Sequence, residues 1–161
     1  MQIRNTLPTE LDEVMEIYAQ ARAFMRAAGN ADQWGDNHPS RQLIESDIRC
    51  GKSYVVESDS EIIGVFFFDI CDDPTYQQIY DGKWLNNNKY GVIHRIAVKY
   101  HGRSIADFVY KHCFSVAKNL KIDTHANNIP MQNSLRKNGF VRCGIIYLAS
   151  GDERIAYQKE T

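Results

Sequence analysis

Ile96-Ala97-Val98-Lys99-Tyr100-His101-Gly102-Arg103-Ser104-Ile105-Ala106 reads as a β-strand that passes through a short loop of small residues into an α-helix. The first N–H groups of a helix have no partner within it. A loop without bulk lets them converge on a phosphate, which the helix dipole also favours. Gly102, Ser104 and Ala106 leave that approach open, while His101 and Arg103 can add positive charge. An ordinary turn ahead of an amphipathic helix has the same local pattern, so the loop alone does not decide. It is not a P-loop, because no GxxxxGKS or GxxxxGKT run is present.

A second unit follows at Asp123-Thr124-His125-Ala126-Asn127-Asn128-Ile129-Pro130-Met131, continuing to Leu135 and Gly139-Phe140. A strand ends in polar residues, a helix begins with proline near its first turn, and Gly-Phe stops it. Capping explains the local pattern, with Asn127 or Asn128 as cap and Gly139 as stop. It does not explain why this unit follows the phosphate-type loop at this distance.

The rest of the chain is arranged around these two units. Residues 1–4 form a short strand. Thr6-Leu7-Pro8-Thr9-Glu10 starts a helix in which Leu11, Val14, Tyr18, Ala21 and Met25 recur at helical spacing up to Gly29-Asn30. Residues 31–39 are irregular. Ser40 caps a second helix that runs to about Cys50, with Leu43, Ile44 and Ile48 inward. Strands at 53–57 and 62–70 flank the polar turn Ser58-Asp59-Ser60-Glu61, as in an antiparallel hairpin. The polar excursion 71–89 is long enough to be functional or to carry structure of its own. A strand at 90–98 leads to a helix over about 104–119, burying Ile105, Phe108, Val109, His112 or Cys113, and Val116. Next come a strand at 120–124, a helix over about 130–137, and strands at 140–148 and 154–158. The order β-α-α-β-β-β-α-β-α-β-β predicts one α/β domain over 1–161, a mixed sheet of about seven strands flanked by four helices on both faces.

Composition narrows the function classes. A formal net charge of -1 without any basic block argues against a nucleic-acid or anionic-membrane binder. No run approaches the roughly 20 apolar residues of a membrane span, and the N-terminus lacks a signal-peptide pattern, so a cytoplasmic protein is expected. Cys50, Cys71, Cys113 and Cys143 have neither zinc nor disulfide spacing and read as reduced thiols. His38, His101 and His112 lack metal-ligand spacing, and no metal is expected.

Together the two units resemble the signatures of the GNAT superfamily of N-acetyltransferases, and the whole element order is similar to that family's. The family's pyrophosphate loop starts at Gln or Arg, has glycine three residues on and a small residue two further on. Here His101-Gly102-Arg103-Ser104-Ile105-Ala106 takes that place, keeping the last small residue and carrying His101 and Ser104 at the first two markers. The later family signature is met by Asn128, Met131, Leu135 and Gly139-Phe140. Asp123-Thr124-His125 and Cys143-Gly144-Ile145-Ile146-Tyr147 resemble bacterial members.

The resemblance implies that the pantetheine arm of acetyl-CoA pairs with the backbone of Ile96, Ala97 and Val98. A main-chain N–H there would polarise the thioester carbonyl. Gly102 through Ala106 would hold the pyrophosphate, and Asn128 would contact the cosubstrate. The implied reaction is direct attack of a neutral amine, small-molecule or peptide, on the thioester. Many members carry tyrosine as acid where this chain has Leu135. His94 and His125 are the titratable candidates for proton relay; a partly buried, satisfied histidine and a loop cap are the competing readings. Tyr147 is a candidate acid or substrate contact, or a packing residue. On the substrate side, Trp34 is a candidate pocket wall or a core plug. Asp69, with Asp72 and Asp73, either attracts a cationic amine or forms a solvated acidic turn. Homodimers are frequent in the family. The second functional reading is a CoA-binding sensor or interaction module without turnover, motivated by Leu135 and the altered loop.

Overall fold

The computed structural model describes Met1–Thr161. Its strands are β1 (Gln2–Asn5), β2 (Ser53–Ser58), β3 (Glu61–Ile70), β4 (Gly91–Val98), β5 (Asn119–Thr124), β6 (Val141–Tyr147) and β7 (Glu153–Glu160). Its helices are α1 (Leu11–Ala27), α2 (Arg41–Arg49), α3 (Ile105–Ala117) and α4 (Ile129–Lys137). The strands form one sheet in the order β1-β2-β3-β4-β5-β7-β6. All pairings are antiparallel except β4 with β5, which run parallel. The expected mixed sheet of seven strands with four helices is the observed fold.

Local chemistry sets the element ends. Ser40 Oγ accepts the Leu43 N–H at 3.2 Å and opens α2. Asp59 and Ser60 both take left-handed φ values (50° and 65°), the backbone that a tight β2–β3 turn needs. Lys118, at φ 60°, stops α3 so that Asn119 already begins β5. α3 therefore ends earlier than the sequence suggested. It is also rotated from the expected face: Ile105, Val109, Tyr110 and Cys113 are buried, while Val116 is exposed.

Helices cover both faces of the sheet. On one face α3 and α4 press Val109, Tyr110 and Leu135 onto Phe66, Ile93, Leu120 and Ile122. On the other, α1 and α2 place Val14, Tyr18 and Ile44 over Val55 and Val65. The second half of that face is covered by the excursion after β3. Its 3-10 turn Pro74–Tyr76 inserts Tyr76 against Tyr90, Val92, Ile146 and Ala156. The excursion is anchored at Tyr80, which exchanges main-chain hydrogen bonds of 2.8 and 2.7 Å with Ile145 on the outer edge of β6. Glycine is required at this crossing, because a Cβ on Gly82 or Gly144 would overlap the carbonyl of Cys143 or Tyr80. No helix is long and apolar enough to cross a membrane.

Candidate active site

Two irregularities of β4 make the site. The first is a bulge. Ala97 pairs with Val65 and His94 with Phe67, so Arg95 and Ile96 share one position opposite β3. Arg95 takes a left-handed φ of 51°, costly for a side-chain-bearing residue, and the surroundings hold it there. The Tyr18 hydroxyl donates to the Arg95 carbonyl at 2.8 Å. The Arg95 guanidinium makes a fork onto Asp47 at 3.0 and 3.1 Å and lies over the Phe67 ring. Burial raises the Asp47 carboxyl, and Arg95 partly opposes that rise.

The second irregularity is a splay. β4 and β5 pair only at Gly91 with Leu120 and Val92 with Lys121, then separate. Lys99 donates to Ile63 on β3 at 2.8 Å. Hydrogen-bonding direction alternates along a strand, so the main chain of Val98 faces the side that β5 has left. The opened edge borders a cavity of about 610 Å3 between β4, α4 and the segment after α1.

At the wide end of the splay lies the loop into α3. The N–H groups of Ile105, Ala106 and Asp107 have no protein partner, since the first helical bond runs from Phe108 to Ser104 at 3.1 Å. Ser104 is left-handed at φ 57° and its hydroxyl does not cap the helix. A Cβ on Gly102 would meet nothing, so the loop is open to a ligand. His101 stacks on Phe24 with ring centres 3.7 Å apart, and burial lowers its pKa. Arg103 lies over the Tyr100 ring and does not line the cavity.

The other end holds an acid–base cluster. His94 Nε2 is 2.7 Å from Asp73 Oδ2. Asp73 Oδ1 accepts from the Thr75 N–H and hydroxyl at 2.9 and 2.7 Å. Burial alone would raise this carboxyl, but the bonds from His94 and Thr75 prevail and hold it at about 2. The Asp73 carboxylate can only accept, so His94 Nε2–H donates to it, an arrangement that in the uncharged ring leaves the lone pair on Nδ1. Beside the pair, the Tyr76 hydroxyl donates to Asp123 Oδ2 at 2.7 Å. Burial raises Asp123 above the usual carboxylate range, against the lowering effects of His94, Tyr76 and Arg154.

Of the remaining candidates, Ile96, Ala97, Ile105, Ala106 and Trp34 line the same cavity. Asn128 does too: its Oδ1 caps α4 through the Met131 N–H, and its Nδ2 donates to Gln33 Oε1 at 2.9 Å. His125, Tyr147 and Asp69 do not. His125 Nδ1 accepts the Asn127 N–H at 2.9 Å in the turn before α4. Tyr147 packs on Tyr80 at the end of β6. Asp69 pairs with Lys52 at 2.7 Å outside the cavity. Asp123 enters the sequence reading only as part of the second unit, and Tyr76, Gln33 and Arg154 not at all, because nothing local marks them as site residues; the sheet, the excursion and the segment after α1 bring them together. Leu135 is wholly buried in the core. No cluster of metal-ligating side chains is present.

Neither a family model nor a curated protein matches the sequence; solved structures do. A GNAT family acetyltransferase from Streptococcus agalactiae is 33% identical, with a TM-score of 0.91 over 99% of this chain and 95% of that one. A GNAT family acetyltransferase from Listeria monocytogenes shares the fold at 18% identity, TM-score 0.74, over 99% of this chain and 94% of that one. So does a Salmonella typhimurium protein solved with its cofactor acetyl-CoA, at 12% identity and TM-score 0.65, over 99% and 92% of the two chains. The bulged and splayed β4, the open loop into α3 and the likeness to the streptococcal protein lead to one conclusion: the chain belongs to the GNAT family of acetyltransferases.

Proposed function

We propose that this protein transfers an acetyl group from acetyl-CoA to a primary amine by direct attack, and the splay of β4 from β5 beside the His94–Asp73 pair carries that reading. The residues suit the cosubstrate. The open edge at Ile96 and Val98 accommodates an extended amide-containing arm, and the free N–H groups of Ile105 and Ala106 suit a pyrophosphate. Acetyl-CoA would supply the activated acyl carbon: the amine nitrogen bonds to it first, and the C–S bond then breaks as the carbonyl re-forms and the thiolate leaves.

The chain supplies the rest. A main-chain N–H at the bulge stabilises the tetrahedral oxyanion, a task that needs no particular side chain. Asp73 orients His94, whose free Nδ1 takes the proton of the attacking amine. Asp123, with its raised pKa, is the second acceptor in reach of that amine. Leu135 has no proton to give. The Tyr110 hydroxyl, 3.3 Å from Met131 Sδ in the wall of the cavity, is the candidate donor to the leaving thiolate.

The buried Leu135 also favours the second reading, CoA binding without turnover. Titration calorimetry with acetyl-CoA and thiol release with a panel of amines separate the two. Binding with amine-dependent thiol release is expected. Binding without release for any amine identifies a sensor, and no binding at millimolar acetyl-CoA refutes both readings.

A further inference from the structure

Three cationic side chains other than histidine line the cavity, and two of them have anionic partners. Arg95 forks onto Asp47, and Lys137 pairs with Asp107 at 2.8 Å. Arg154 has none. It is 5% exposed, yet its guanidinium bonds only carbonyls, Glu153 at 2.9 Å and Gln33 at 3.1 Å. No carboxylate lies within ion-pair distance of it. A guanidinium has five N–H donors in a fork that matches a carboxylate, and buried charges are as a rule paired. Here the counter-charge is missing on the side that faces the cavity.

The surroundings place this cation beside the proposed amine site. Asp123 sits opposite Ala156, two residues along β7 from Arg154 and on the same face of the sheet. The backbones of diagonal neighbours of this kind are about 7–8 Å apart, so the two side chains can flank one molecule bearing both an amine and a carboxylate. Asp123 is occupied by Tyr76, and it feels Arg154 without touching it. Across the cavity, burial lowers the His38 pKa, and the charges of Arg95 and Arg154 lower it further. Trp34 packs edge-on to His38 and supplies an apolar wall.

We infer that Arg154 is a specificity residue that clamps a carboxylate of the acceptor, making the acceptor an amino acid type of molecule with its amine directed at His94 and Asp123. The inference rests on the acetyl-transfer reading above and narrows its substrate class.

The test is thiol release with acetyl-CoA and matched acceptors: standard amino acids, their carboxamides and the corresponding decarboxylated amines. Free acids should exceed their amides in kcat/KM by roughly ten- to a hundredfold, as for a charge-assisted bond gained or lost. Arg154→Gln should lower kcat/KM for acids roughly tenfold or more beyond any loss for amides, mainly through KM, while acetyl-CoA affinity stays the same. Arg154→Lys should restore part of the preference. Amides or decarboxylated amines that equal the acids in the wild-type protein overturn the inference, and that comparison stands even where a variant does not fold. Equal losses for acids and amides in Arg154→Gln also overturn it, leaving a brace between β7 and the Gln33 segment. A protein that turns over no amine refutes the catalytic reading alone. Thermal shift with CoA then decides: an amino acid, but not its amide, should raise the melting temperature of wild type and not of Arg154→Gln. The absence of a carboxylate-dependent shift overturns the carboxylate clamp.

Discussion

Replacing Asp73 by asparagine keeps the shape of the side chain and removes its charge. The carboxylate is held between His94 and Thr75, with 14% of its side chain exposed, and its pKa falls from the ordinary 3.8 to about 2. A depression of that size corresponds to about 2 kcal/mol of folding free energy, an order-of-magnitude figure. The sign follows from linkage. A carboxyl with a lowered folded-state pKa contributes fully above its unfolded value and loses the contribution as pH falls through the folded value. Urea unfolding should therefore find Asp73→Asn about 2 kcal/mol less stable than wild type near neutral pH. The gap should narrow as pH drops from 3.8 toward about 2. Asparagine also offers His94 no anionic acceptor, so its tautomer is no longer fixed and kcat should fall roughly a hundredfold. A stability gap that is below about 0.5 kcal/mol, or that ignores acid, would refute this account of Asp73.

Four further substitutions probe the frame. Leu135→Ala should cost about 2–5 kcal/mol in chemical denaturation, because the side chain is wholly buried in the core. Gly144→Ala should destabilise by about 1–3 kcal/mol and raise proteolytic cleavage between Cys71 and Lys89, since its methyl overlaps the Tyr80 carbonyl that anchors the excursion. Ser104→Glu should weaken acetyl-CoA binding at least roughly tenfold by calorimetry, placing negative charge at the proposed phosphate loop; unchanged affinity would remove the phosphate from that loop. Tyr18→Phe should cost about 1 kcal/mol and lower kcat with little change in acetyl-CoA affinity, as the Arg95 carbonyl loses the donor that steadies the bulge.

The excursion between β3 and β4 has a role that its polar sequence conceals. Tyr76 inserts into the sheet face left uncovered by α1 and α2, and Asp73, just ahead of it, is thereby set against His94. The segment is anchored by Tyr80 on β6 and by the Trp84 indole N–H, which donates to the Tyr76 carbonyl at 2.9 Å. Stability and the proposed proton transfer thus depend on the same few residues.

The sequence by itself determined what depends on neighbours along the chain. Ser40 opening α2, the turn at Asp59-Ser60, the small-residue loop before α3, and Asn128 and Gly139 bounding α4 are all short-range chemistry, and with hydrophobic periodicity they specify the element order, while the family shows in the resemblance of the two units to its signatures. Even there the face of α3 was misjudged, because Tyr110 and Val116 are both apolar enough to be buried and only packing chooses between them. His94 and the small-residue loop before α3 could be picked out as candidates for the same short-range reason. Tertiary structure alone decided the left-handed Arg95 that bulges β4, the parting of β4 from β5, and the meeting of Asp73, His94, Asp123 and Arg154 on one sheet face. Those depend on register between strands distant in sequence, and on burial that turns an ordinary aspartate or arginine into one with a shifted pKa or an unmet charge. Neither is encoded in any residue's immediate neighbours.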